Sequence, residues 1–203
     1  MATHLTAHPV DFHVEHPARM QRVHVVIRIA LLIVLGAVGC SSLYWLLYLS
    51  VPAFAALLIS QNGPARYFAE DAPEIMPVVR WIAGAYAYLW LLTDAVPTSE
   101  SGGPVELQIE TGGAPSPGSA MLRILYAVPA MLVLAVLSMA AAVLWPIGAI
   151  AILVRRRVPA AIADYLTLTL RYQFRLVAYH LSLVEAYPSF DATAAHVPHS
   201  DAA

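Results

Sequence analysis

The sequence predicts an all-α integral membrane protein of two tandem modules, each a short strand, a transmembrane helical hairpin and an amphipathic interfacial helix, with about four spans in total. Three observations predict it. First, the chain repeats itself. Arg80-Trp81, Ala87-Tyr88, Leu92, Asp94 and Pro97 recur as Arg171-Tyr172, Ala178-Tyr179, Leu183, Glu185 and Pro188, each 91 positions later (171 − 80). Upstream the offset is 95 (123 − 28): Pro9-Val10-Asp11 answers Pro104-Val105-Glu106, and Arg28-Ile29 answers Arg123-Ile124. A colinear repeat reads as two related modules about a pseudo-symmetry axis. The four-residue difference is an insertion in the first copy, within Tyr67 to Pro77.

Second, 60% of the residues are apolar and 12% charged, against about a quarter charged in a soluble domain. The mean hydropathy is +0.68. Third, the charges cluster. No Asp, Glu, Lys or Arg lies between Arg28 and Arg66, nor between Arg123 and Arg155. A single helix through the first gap would run roughly 55 Å at about 1.5 Å per residue, nearly twice the hydrocarbon thickness of about 30 Å. Each gap therefore reads as a hairpin of two short spans.

Taken in order, residues 1–8 form a tail and 9–97 the first membrane module. Val10 to Glu15 alternates apolar and polar, as does Val105 to Glu110 in the same phase, which predicts two half-exposed strands. If the axis lies along the membrane normal, they meet as an antiparallel ribbon; the alternative is extended loop. In the apolar run Val23 to Ile59, the small residues Gly36 to Ser42 suit a close turn, and Tyr44, Trp45 and Tyr48 suit the interface. The rival reading makes 23–48 one tilted span and 51–60 a re-entrant piece. Pro52 and Pro146 predict a kink shared by the modules. The counterpart run, Leu122 to Val154, has no comparable turn signal.

A third helix follows each hairpin. In the second module Asp164, Thr167, Arg171, Arg175 and Ser182 share one face, away from Leu166, Leu170, Phe174, Val177, Leu181 and Val184. Such a helix belongs in the interface plane. Its counterpart, Val78 to Val96, is apolar enough that it could nearly span. Residues 98–119 are a glycine- and proline-rich linker around the second strand, 120–190 complete the second module and 191–203 form a second tail.

Counting arginines sets the topology. If only the hairpins cross, every arginine falls on one side, as the positive-inside rule asks. Both termini are then cytoplasmic. Arg155-Arg156-Arg157 becomes a topology determinant and a candidate contact for anionic lipid headgroups.

The unit has an extended lead, an arginine entering an apolar hairpin, a polar turn ending in proline, and an Arg-aromatic helix closing on an acid and Tyr-Pro-x-Phe. Glu185-Ala186-Tyr187-Pro188-Ser189-Phe190 carries that ending, and Leu91-Leu92-Thr93-Asp94 with Pro97 is its eroded copy. Over about residues 9–190 the chain resembles the bacterial membrane family of domain of unknown function 4389, present as two tandem copies. The resemblance implies a multi-pass protein of the bacterial inner (cytoplasmic) membrane and carries no catalytic residues.

Reactive sites are sparse. His4, His8, His13 and His16 fit no compact metal-ligand set, and His24 and His180 are the only histidines near membrane depth. No nucleophile elbow, phosphate loop or metalloprotease helix occurs. The hairpins lack the buried charge that ion carriers use. The lone Cys40 reads as a small core residue. A net charge of −2 offers no footprint for nucleic acid. No catalytic residue, cofactor or metal is expected. Arg80 with Asp94, and Arg171 with Glu185, share a helix face about 21 Å apart by helical rise, too far to pair along it. Across the pseudo-axis Arg80–Glu185 and Arg171–Asp94 could pair; the alternative is solvated ends, with the acid ordering the local turn. Arg80, Asp94, Pro97, Arg171, Glu185, Tyr187 and Pro188 are thus structural or interaction candidates. The preferred expectation is a non-enzymatic accessory subunit packed against lipids and another integral membrane protein or its own copies. The alternative is a small carrier or lipid-binding protein with a cavity between the modules.

Overall fold

In the computed structural model, residues 8–37, 40–97 and 103–189 are described. Residues 1–7 of the first tail, the whole second tail, Phe190 and the Thr98-Ser99 ending lie outside them, as do the side chains of Cys40, Tyr44 and Trp45. The described chain is mostly helical. Strand β1 (Val10–Val14) precedes helices α1 (Arg22–Ala37), α2 (Cys40–Arg66) and α3 (Ala72–Leu89), with a π-helical turn at Tyr67–Asp71 between the last two. Strand β2 (Val105–Ile109) precedes α4 (Pro117–Tyr126), α5 (Val128–Arg155) and α6 (Ala160–His180).

The strands do meet as an antiparallel ribbon. Val10 pairs with Ile109, Phe12 with Leu107 and Val14 with Val105, so the repeat equivalents Phe12 and Leu107 face each other at its centre. The alternation is obeyed: Val10, Phe12, Val14 and Leu107 are buried while Asp11, His13, Glu106 and Gln108 are exposed. A two-stranded ribbon is marginal alone; this one crosses over. The first module's β1 packs on α6, and the second module's β2 packs on α3. Helices cross too, α2 lying along α4 and α1 against α5.

In module one, α1 is described up to Ala37 and α2 from Cys40, so the turn predicted within Gly36 to Ser42 falls on Val38 and Gly39, outside the described residues. Module two does not form a hairpin of two equal spans. Its break falls at Ala127, leaving α4 with 10 residues and α5 with 28, about 15 Å and 42 Å of helix. Only α5 among the described residues is long and apolar enough to cross a membrane, and α4 is too short. The break coincides with Pro129, which has no N–H to donate into the preceding turn and sits in the first turn of α5, where proline is tolerated; its equivalent in module one is Val34. Pro52 lies inside α2 and Pro146 inside α5.

The stretch that holds the four-residue difference opens with the π turn, which buries Tyr67 and lets its hydroxyl donate to the Leu181 carbonyl. Burial pushes the Tyr67 phenol up to about 12.

Helix α6 is not a surface helix. Every residue from Thr169 to Leu176 is buried, Arg171 and Arg175 together with Leu170 and Phe174. At Arg171 and Arg175 the predicted polar face is covered by β1, while Asp164 stays exposed. Arg171 Nε donates to Phe12 O (3.2 Å) and Arg175 Nε to Val10 O (3.4 Å), while Arg175 Nη1 donates to Ser189 O (2.8 Å). Strand carbonyls here replace the water that an interfacial helix would use.

Candidate functional site

Two features are built from repeat-equivalent residues. The first is a clasp at the end of each third helix. Leu91 and Ser182, 91 positions apart, both adopt a left-handed backbone (φ 64° and 57°). Both close the helix with the same long backbone bond, Leu92 N to Ala87 O and Leu183 N to Ala178 O, each 3.0 Å. This pattern satisfies carbonyls a helix end would otherwise orphan. An arginine from the first helix then covers the turn. Arg28, fully buried, lies 4.4 Å over the Tyr88 ring and donates to Thr93 O and to Asp94 Oδ1 (3.0 Å). Arg123 lies 4.7 Å over Tyr179 and donates to Tyr179 O (3.0 Å) and Val184 O. A cation at a helix C-terminus also opposes the macrodipole.

The acids fasten the chain just before each first helix. Asp94 Oδ2 accepts from Gln21 N (2.7 Å), and Glu185 Oε1 from Ala114 N (2.9 Å). The cross-axis pairs are therefore not made. Asp94 is held by Arg28, and Arg171 pairs with Asp11 at 3.5 Å. Arg80 is half-buried and Pro97 partly exposed. Tyr187 packs edge-on to Tyr179 at 5.7 Å and Pro188 is buried beside it in sequence.

Gly113 shows how closely this clasp is drawn. Its φ is 121°, and a Cβ there would sit 2.5 Å from Glu185 Cγ. Gly113→Ala is expected to lower stability by about 1–3 kcal/mol, read as a fall in melting temperature in detergent. Gly112→Ala, whose Cβ would meet open space, is expected to change little.

The second feature is a partly open cavity of about 820 Å³ where α1, α2, α3, α5 and α6 converge. Positions equivalent in the sequence repeat both line it: Ile82 with Gln173, and Tyr86 with Val177. Its walls are almost wholly apolar, and Trp81, Trp90 and Trp145 contribute three of the chain's four tryptophans. A smaller recess of about 270 Å³ adjoins it, sharing Tyr48, Tyr86, Trp90, Ser138 and Gln173. Trp145 is held by backbone, its Nε1 donating to Leu89 O (2.8 Å). At one margin Tyr48 meets His180, its hydroxyl 3.0 Å from Nδ1. Burial, with the Arg123 charge behind it, pushes the His180 imidazole down to about 4.

Gln173 is the one amide on these walls. It is 6% exposed, and none of the described hydrogen bonds uses its carboxamide. Sequence reasoning passed over it because it lies off the arginine stripe of α6; its module-one partner being Ile82 was the available signal. Among the described residues, no three His, Cys, Asp or Glu side chains converge on a point that could hold a metal.

Residues 117–191 match a family model, Domain of unknown function (DUF4389). No curated protein and no solved structure matches the chain. The matched segment begins at α4 and runs through the second clasp. It contains Arg123, Tyr179, Ser182 and Glu185, the residues whose equivalents build the first clasp outside it.

Proposed function

We propose that this is a non-enzymatic membrane protein that holds an apolar ligand, most simply a lipid chain, in the cavity between two modules. The carrying observation is the cavity itself, an apolar space of about 820 Å³, within the roughly 300–1,000 Å³ of ordinary ligand sites. Gln173 supplies a single polar contact at its wall, enough to orient a carbonyl or hydroxyl in an otherwise greasy site.

Membrane embedding is part of the same proposal. Leu132, Val136, Met139, Val143, Ile147, Ile150 and Val154 are half or more exposed along one face of α5. They extend over about 33 Å of helix, the thickness of a hydrocarbon core. We read α1, α2 and α5 as lying in a bacterial inner membrane, with the arginine-bearing ends cytoplasmic, and residues 9–97 as a diverged first copy of the matched domain. The accessory-subunit reading rests on these same exposed faces. Lipid covers such faces equally well, so they do not single out a protein partner.

The test uses protein purified in mild detergent and extracted for bound lipid. Retained lipid at near one equivalent, with tryptophan fluorescence quenched by a brominated fatty acid, is the expected result. Ala85→Phe, which fills the cavity, should abolish retention and relieve the quenching. Gln173→Leu should weaken binding about tenfold for ligands bearing a polar head, from loss of one buried hydrogen bond. Extracts without lipid, or quenching indifferent to Ala85→Phe, would remove the proposal.

A further inference from the structure

Arginines from both halves of the chain meet beside the entrance of α1, at a recess that shares no lining residue with the cavity. Arg19 and Arg22 share with Arg156 a recess of about 340 Å³, floored by Met20, Gln21 and Val23. Backbone bonds hold the two segments together: Met20 N donates to Arg156 O (2.7 Å), and Arg22 Nη2 reaches Val154 O (3.4 Å). Arg156 is the left-handed C-cap of α5 (φ 58°), with Arg155 and Arg157 on either side of it in sequence. All five arginines are exposed, and none joins an ion pair among the described residues. The acid at hand, Asp94, is already engaged by Arg28 and by Gln21 N.

We propose that this recess binds the phosphate of an anionic phospholipid whose chains lie along α1 and α5. Charge complementarity argues for the phosphate. Arginine forks match phosphate oxygens two at a time. The neighbouring surface argues for the lipid: Val23, Val26, Ile150 and Val154 are more than half exposed within a few turns of the guanidinium groups. A free phosphate ion would use the charge and gain nothing from those apolar faces. The site joins Arg19 and Arg22 of one module to the Arg155–Arg157 run of the other, so the ligand would bridge the halves.

The experiment measures binding of phosphatidylglycerol, phosphatidylcholine and inorganic phosphate to the full chain in a neutral detergent. Phosphatidylglycerol is expected to bind at least tenfold more tightly than phosphatidylcholine, and inorganic phosphate at equal concentration should not displace it. The triple variant Arg19→Gln/Arg22→Gln/Arg156→Gln should lose that preference, whereas Arg66→Gln, which removes an exposed arginine elsewhere, should keep it. Should the triple variant fold poorly, Arg19→Gln alone and a rise in salt should each weaken phosphatidylglycerol selectively. Equal affinity for the two lipids, or a preference that survives the triple substitution, overturns the proposal. So does displacement by inorganic phosphate, which would mark a plain anion site. Ala85→Phe should leave the preference intact, so failure here is distinguishable from failure of the cavity.

Discussion

Arg28→Ala is expected to lower the melting temperature of the detergent-solubilised protein by about 10 °C. Arg28 is completely buried, and its guanidinium joins α1 to the turn after α3 through Thr93 O and Asp94. Alanine leaves a void, an orphaned carbonyl and a carboxylate without its cation. Removing one partner of a buried pair costs about 3–5 kcal/mol, and each kcal/mol shifts a chain of this size by about 2–4 °C. Two guanidinium nitrogens, Nε and Nη1, have no hydrogen-bond partner among the described residues, so the site also bears a desolvation cost. Arg28→Met, which keeps most of the volume, should therefore lose less than alanine does. Arg123→Ala should behave as Arg28→Ala does, because the second clasp uses the equivalent aromatic ring and turn. The exposed Arg66, paired only with Glu70, should shift by less than 2 °C when replaced by alanine. An Arg28→Ala protein melting within 3 °C of the parent would show that the clasp does not hold the module together.

Acid should destabilise the protein through His180. Its imidazole is depressed to about 4 by burial and secondarily by Arg123, against about 6.5 when unfolded. Between those values the unfolded chain binds a proton that the folded chain refuses. Stability contributed by the neutral ring is intact above pH 6.5, falls as the pH drops below it, and is fully lost near pH 4. One pKa step is worth about 1.4 kcal/mol, so the loss is about 3 kcal/mol. Melting curves between pH 7.5 and 4.5 would register it as roughly 6–12 °C. His180→Gln can still hydrogen-bond to Tyr48 and cannot titrate, so its acid-dependent loss should be smaller by that amount. An unchanged pH slope in the variant would assign the acid sensitivity to other groups.

How much of this was legible beforehand follows from the kind of signal each element carries. The ribbon was readable because period-2 alternation in Val10 to Glu15 and Val105 to Glu110 records which side chains are buried. The equivalence of Arg28 with Arg123, and of Asp94 with Glu185, was readable from the offsets. Their partnership was not, because spacing along one helix says nothing about which other helix supplies the mate. Pro129 was in plain view, yet the break beside it was missed: composition marked 122–154 as one apolar run, and the break lies near the start of that run. Gln173 was hidden because it lies off the arginine stripe of α6, so the spacing of that stripe did not single it out.

The polypeptide's own pattern determined that it repeats, that its charges gather at the ends of long apolar runs, and that its two strands alternate in phase. Those are local or periodic properties, set by residue chemistry at fixed spacings. Tertiary structure alone decided that β1 would cover the arginines of α6, that each clasp would close within its own module, and that a cavity would remain where α1, α2, α3, α5 and α6 converge. Periodicity states that a face must be satisfied; only packing determines whether water, lipid, a strand carbonyl or empty space lies against it.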